Sequence, residues 1–164
     1  MAAVSIRSAV VTDNREIADV HRLARADYYG TPPDGDDDRE AMWAHLLAQP
    51  RRTTYVAETA DGVVGFMSAL RRSDPVAELK LTAMYVRPAH FGRGIGSRLH
   101  DAFEAERAHD EAGTLEVWAR NRRAIDFYSR RGWAPTTQTR PGPQGADFVT
   151  YTLPARAMAS RSST

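Results

Sequence analysis

The period of apolar and polar positions changes several times along the chain, and the changes mark out elements. Residues 4 to 11 are short and β-branched and are followed by Thr12-Asp13, which predicts a first strand. Asp13 with Glu16 has the form of a capping box, and Ile17, Val20, Leu23, Ala24 and Tyr28 then recur on one helical face. Gly30, Pro32, Pro33 and Gly35 interrupt regular structure in a loop that also gathers Asp34, Asp36, Asp37 and Asp38. A solvated loop is the simpler reading of that run; the other is the border of a site for a cationic substrate. Asp37 and Glu40 predict a second cap, for a helix that buries Met42, Trp43, Leu46 and Leu47 and stops at Pro50. Residues 53 to 59 and 63 to 70 are strand-like around an Ala60-Asp61-Gly62 hairpin turn, and Ser73-Asp74-Pro75 turns the chain again.

The next stretch organises the rest. Residues 79 to 86 form an apolar, partly β-branched strand that Arg87-Pro88 breaks, because proline disfavours helix before it and cannot donate to a ladder. Gly92, Gly94 and Gly96 alternate with Arg93 and Ile95, so the backbone can take positive φ and expose its amides. A helix follows, with Ile95, Leu99, Ala102, Phe103 and Glu106 on one stripe, and is expected to end at Gly113. The N-terminus of such a helix favours an anion, and Arg93 and Arg98 add positive charge beside it. Residues 114 to 119 then read as a strand, Asn121 as the cap of a helix carrying Ala124, Phe127 and Tyr128, and Gly132 as its stop. Residues 133 to 139 and 146 to 153 are two further strands, joined by a Pro/Gly-rich turn.

The order β-α-α-β-β-β-α-β-α-β-β contains no repeat and no linker. It places the chain in the α/β (α+β) class, with a mixed sheet of about seven strands and about four helices. One domain over residues 1–154 and a disordered tail over 155–164 are expected. A chain of 164 residues that is 42% hydrophobic suits one core of ordinary size. Its formal charge is +1, from 22 basic and 21 acidic residues, which does not indicate a nucleic-acid partner. Cysteine is absent, which excludes disulfides, thiolate ligands and a cysteine acyl-enzyme. The five histidines show no ligand spacing, so no metal is expected. There is no long apolar run, and residues 1 to 11 lack the basic start and apolar core of a signal peptide. A cytoplasmic protein that does not associate with membranes is therefore expected. A homodimer is compatible with all of this. Lys80 is the only lysine, a bias towards arginine that reads as genomic.

The glycine loop lacks the third glycine of a dinucleotide fingerprint and has no following Gly-Lys-Ser/Thr, so neither Rossmann nor P-loop chemistry fits. Phe91-Gly92-Arg93-Gly94-Ile95-Gly96, placed after Tyr85-Val86-Arg87-Pro88, resembles instead the signature of the GNAT superfamily of N-acetyltransferases. It departs only at Phe91, where that family usually has Gln or Arg. A second block resembles the same family: Asn121, Ala124, Phe127-Tyr128, Gly132 and Trp133 meet its Asn-x-x-Ala-x-x-Phe-Tyr-x-x-x-Gly-aromatic pattern.

The resemblance runs from residue 4 to residue 153. It implies a GNAT fold whose fourth and fifth strands splay apart to hold the pantetheine arm of acetyl-CoA, the acyl donor. It also implies that the arm pairs with the fourth strand as an added strand would. It assigns donor binding to Met84, Tyr85, Val86, Phe91, Gly92, Arg93, Gly94, Ile95, Gly96, Ser97, Asn121 and Tyr128, with a backbone N–H near Met84 stabilising the oxyanion of the tetrahedral intermediate. It gives the Tyr128 hydroxyl to the departing sulfur. That agrees with the chemistry, since a phenol of pKa about 10 can protonate a thiolate whose acid lies near about 8.5. An acceptor ammonium must lose a proton, to a base or a water chain, before it attacks, and Glu78 and Glu116 are the candidate bases. Glu116 stands twelve residues before Tyr128, as in the ribosomal-protein alanine acetyltransferases, and ranks first. The acceptor would be a small-molecule or peptide amine. The alternative is a sensor of the same fold that holds acyl-CoA without turnover.

Overall fold

The computed structural model describes residues 3–31 and 38–156. Seven strands stand in the order β1-β2-β3-β4-β5-β7-β6. The chain forms two compact units, one from residues 1–70 and 83–106, the other from residues 71–82 and 107–164.

In the first unit, β1 (Ser5–Ser8) runs antiparallel to β2 (Arg52–Thr59), and β2 antiparallel to β3 (Gly62–Arg72). The expected hairpin is present, with Gly62 at φ 98°. Helices α1 (Asn14–Tyr29) and α2 (Arg39–Leu47) cover the sheet. Ile17, Val20, Trp43, Val56, Val63 and Phe66 form the core beneath them. Gly30 ends α1 in the left-handed region. Helix α3 (Ile95–Glu106) buries Ile95, Leu99 and Phe103, each contributing about 1.5–3 kcal/mol. It packs closely where β3 has a glycine: a Cβ on Gly65 would stand 3.2 Å from Leu99 Cδ1 and 3.3 Å from Ile95 Cγ2.

In the second unit, β4 (Glu78–Val86) begins parallel to β5 (Ala112–Trp118). β5 also pairs antiparallel with β7 (Phe148–Leu153), which carries the edge strand β6 (Ala134–Arg140). Helix α4 (Arg122–Arg130) lies between β5 and β6 in sequence. Trp133 packs over Gly113, where a Cβ would meet its ring at 2.9 Å.

Several boundaries differ from the sequence expectations, each for a tertiary reason. The first strand stops at Ser8 and is followed by a 3-10 turn over Val11–Asp13. Asp13 accepts from Val10 N at 2.8 Å and from both terminal nitrogens of Arg7 at 2.9 Å, so it does not cap α1. Glu16, expected in a capping box, accepts instead from Val63 N at 2.7 Å. Helix α2 ends at Leu47, and α3 ends at Glu106 rather than at Gly113. Beyond α3, buried Arg107 donates to the carbonyls of Glu111 at 2.8 Å and Pro154 at 3.0 Å. Ala155, placed by the sequence in the tail, is buried, and Arg156 donates to Arg107 O at 2.8 Å. Residues 157–164 of that tail, and Asp34, Asp36 and Asp37 of the acidic loop, lie outside the described residues.

Candidate active site

In the first unit the glycine loop opens α3 as the spacing predicted. Gly92 and Gly94 have φ of 76° and 78°, and no heavy atom lies within 4 Å of where a Cβ on either would stand. The Gly94 carbonyl accepts the first helical bond, from Arg98 N at 3.2 Å. The amides of Ile95, Gly96 and Ser97 therefore occupy the first turn, where a helix has no backbone acceptors for its donors. Ile95 is buried beneath this turn, while Gly92, Arg93 and Gly94 are exposed. Arg98 has another task, because its guanidinium donates to the Val4 carbonyl and ties α3 to the start of β1. Phe91 N donates to Pro88 O at 3.2 Å, within the short 3-10 turn before the loop.

The residue after β4, Arg87, is anchored by three hydrogen bonds. Arg87 N donates to Val64 O at 2.8 Å, its Nε to Val63 O at 2.9 Å, and its terminal nitrogen to Asp19 at 2.7 Å. Burial pushes the Asp19 carboxyl up, but hydrogen bonds from Arg87 and Arg22 bring it below its ordinary value. Tyr85 packs its ring on His21, 4.9 Å between centroids and 15° from parallel, and burial drives its hydroxyl up.

The second unit carries the remaining sequence-predicted residues. The β4/β5 ladder runs from Glu78↔Ala112 to Leu81↔Leu115, whereas β4 continues to Val86 and β5 to Trp118. Side chains alternate along each strand, so Glu78 and Lys80 on β4 share a face with Thr114 and Glu116 on β5. Glu78 faces Arg72 at 3.8 Å. Glu116 is held between two cations: Lys80 Nζ lies 3.4 Å from one oxygen and Arg140 Nε donates to the other at 2.5 Å. The Arg140 guanidinium also lies over the Phe148 ring, 4.1 Å from its centroid. Burial pushes the Glu116 carboxyl up, but the Arg140 hydrogen bond and the charges of Lys80 and Arg140 set it below the ordinary range. It is ionised at neutral pH and weakly basic.

Asn121 caps α4 as predicted, its side-chain oxygen accepting from Ala124 N at 3.3 Å. On that helix Tyr128 is buried, edge-on to Phe127 at 5.3 Å and to Trp133 at 5.8 Å. Among the described residues no group of three His, Cys, Asp or Glu side chains could hold a metal ion. Among them, too, no helix is long and apolar enough to cross a membrane.

Residues 50–135, more than half of the chain, match the family model described as an acetyltransferase (GNAT) domain. The chain belongs to the GNAT acetyltransferase family. No curated protein matches it in sequence. Solved GNAT structures share its fold at low identity. An acetyltransferase from Thermus thermophilus superposes with a TM-score of 0.73 at 19% identity, covering 93% of this chain and 97% of that one. A ribosomal-protein alanine N-acetyltransferase from Escherichia coli gives 0.71 at 24% identity, with 93% and 94% covered. The PaiA N-acetyltransferase from Thermoplasma acidophilum, in complex with coenzyme A, gives 0.64 at 14%, with 90% and 98% covered. Among the described residues, the mixed seven-stranded sheet and four α-helices are those of the GNAT fold, and the short parallel β4/β5 ladder accords with splayed strands.

Sequence reasoning missed the two cations on Glu116 in this GNAT domain. Lys80 and Arg140 stand 36 and 24 residues away from it, and only the β4/β5 and β5/β7/β6 registers bring the three together.

Proposed function

We propose that this protein is an acetyl-CoA-dependent N-acetyltransferase that passes the acetyl group directly to a primary amine. The observation that supports it most is the loop at Gly92 and Gly94, both at positive φ with open space where side chains would stand, at the head of α3. A pyrophosphate suits that position, since the first-turn amides and the helix dipole both favour negative charge and Arg93 is exposed beside them. In this reading the pantetheine arm lies along the backbone of Met84, Tyr85 and Val86, and the Met84 amide polarises the thioester carbonyl. Asn121 keeps its cap and adds a side-chain contact to the donor.

Attack by the neutral amine forms the new C–N bond and breaks the C–S bond. Tyr128 donates its proton to the departing thiolate. The proton lost by the acceptor leaves through Glu116, directly or through water. Because Glu116 is ionised but weakly basic, it serves chiefly to hold the ammonium and pass on its proton. Glu78 is the other carboxylate on that sheet face. Absence of cysteine is consistent with transfer without a covalent enzyme intermediate. The acceptor is a small-molecule or peptide amine, and the site of action is the cytoplasm.

Two variants test the roles. Tyr128→Phe removes only the hydroxyl, so folding and acetyl-CoA affinity should persist while kcat falls by about 10²–10⁴-fold. Glu116→Gln should be slow at neutral pH and recover as pH rises towards the amine pKa, with kcat/KM measured from about pH 6 to 10 for one good acceptor. A Glu116→Gln profile that overlays the parent would move the proton to Glu78 or water. Acetyl-CoA binding with no thiol released to any amine would instead favour a sensor.

A further inference from the structure

Helix α1 carries a second stripe beside its apolar one. Ile17, Val20 and Ala24 are buried in the core, and His21, Arg25, Tyr28 and Tyr29 recur at helical spacing on the adjoining face, all four half-buried. The end of β4 is what they face. Tyr85 follows Met84 on the backbone along which the donor arm is placed above, and its ring centroid lies 4.9 Å from that of His21 and 6.3 Å from that of Tyr28, within 15° and 11° of parallel. Trp43 Nε1 donates to His21 Nδ1 at 3.2 Å, which orients that ring. Tyr28 in turn packs on Tyr29, 4.4 Å between centroids, and the Arg25 guanidinium lies 5.4 Å from the Tyr29 centroid. Burial drives the Tyr85 hydroxyl up, against a hydrogen bond with Tyr28 and the positive charges of Arg25 and Arg39, so Arg25 stands near the hydroxyl end of this aromatic wall.

Arg25 is placed differently from the arginines that hold carboxylates in the same unit. Arg7 takes Asp13, and Arg22 and Arg87 take Asp19 at 2.7 Å. The neighbours of Arg25 one helical turn away are His21, Arg22, Tyr28 and Tyr29, none of them acidic. A guanidinium over a ring uses its face and keeps the N–H donors along its edge for an anion, and their planar fork matches a carboxylate. The donor's own phosphates are placed at the Gly92 and Gly94 loop, so an anion at Arg25 belongs to the other substrate. From these observations, and resting on the acetyltransferase reading above, we infer that Arg25, at the Tyr28 and Tyr29 end of this wall, binds a carboxylate on the acceptor. The acceptor is then an amine that also carries a carboxylate, as an amino acid or a short peptide does. The acidic run of Asp34, Asp36, Asp37 and Asp38 would favour the opposite class, a polycationic amine, and the two classes separate on charge.

The test is steady-state kinetics of the full chain with acetyl-CoA and a panel of amino acids and short peptides, each beside its carboxyl amide, with spermidine as a carboxylate-free polycation. Carboxylate acceptors should exceed their amides in kcat/KM by about tenfold or more, and Arg25→Gln should abolish that preference by raising their KM about 10–100-fold while the KM for acetyl-CoA stays at the parent value. Arg25→Lys, which keeps the charge but not the fork, should raise it less. Turnover of spermidine or of the amides in preference to the carboxylates would overturn the inference and leave the acetyltransferase reading standing. So would a carboxylate preference that Arg25→Gln leaves intact, or a rise in the acetyl-CoA KM of that variant, which would move Arg25 to the donor. Thiol release with no amine, in protein that acetyl-CoA still stabilises, would overturn the acetyltransferase reading and the inference with it.

Discussion

Asp13, Glu111 and Glu116 are carboxylates whose behaviour is set by arginines, six residues away for Asp13 and 40 and 24 residues away for Glu111 and Glu116. Hydrogen bonds from Arg7 lower the Asp13 carboxyl, outweighing its burial, and those from Arg71, with the Ala108 amide, do the same for Glu111. The acid-side consequence follows from the sign of these shifts. A carboxyl depressed in the folded state stabilises above its unfolded pKa, about 4, and loses that contribution as pH falls through the depressed value. The urea midpoint should therefore fall between about pH 5 and pH 2, and Glu111→Gln should flatten that fall while lowering stability at pH 7 by about 1–3 kcal/mol. The carboxylate of Glu111 is 5% exposed but its partner Arg71 is 41% exposed, so the lower half of that range is expected. Residue types alone announced carboxylates here; they did not announce which would titrate abnormally, because each partner arrives through strand pairing or a loop.

Among the elements, the glycine loop and the cap of α4 were the most legible. Positive φ at Gly92 and Gly94 and a side-chain cap at Asn121 are local choices, fixed by sterics and by one hydrogen bond each. Helix ends were less legible, because Asp13 and Glu16 have the right spacing for a capping box yet spend their oxygens on Val10, Arg7 and Val63. The second unit depends on another local feature read only as a helix stop: Gly113 lies within β5 and admits the Trp133 ring. A Cβ there would stand 2.9 Å from Trp133 Cη2 and 3.3 Å from Leu153 Cβ, so Gly113→Ala should cost about 1–3 kcal/mol in a denaturant titration. Asn121→Ala should cost about 1 kcal/mol in the same assay.

At the scale of the whole molecule, ligand linkage is the measurable quantity. If acetyl-CoA binds only the folded chain, it should add about 2.7 kcal/mol at a hundredfold excess over Kd, read as a rise in Tm, and NAD or ATP should do less. Gly94→Asp should abolish that rise by putting a negative side chain at the loop. Its φ of 78° also disfavours any L side chain, so the comparison is Gly94→Ala, which carries the same backbone strain without the charge. A full acetyl-CoA shift in folded Gly94→Asp would remove the loop from the donor site. The sequence by itself determined the order of elements, the glycine turn, the cap at Asn121 and the family, since these rest on local sterics, hydrophobic period and short-range spacing. It could not determine the ion pairs of Asp13, Glu111 and Glu116, the early end of α3 at Glu106 or the ordered Ala155 and Arg156 beyond β7. Tertiary structure decided those, because they depend on how turns and strand registers aim side chains at one another, across 24 and 40 residues for Glu116 and Glu111.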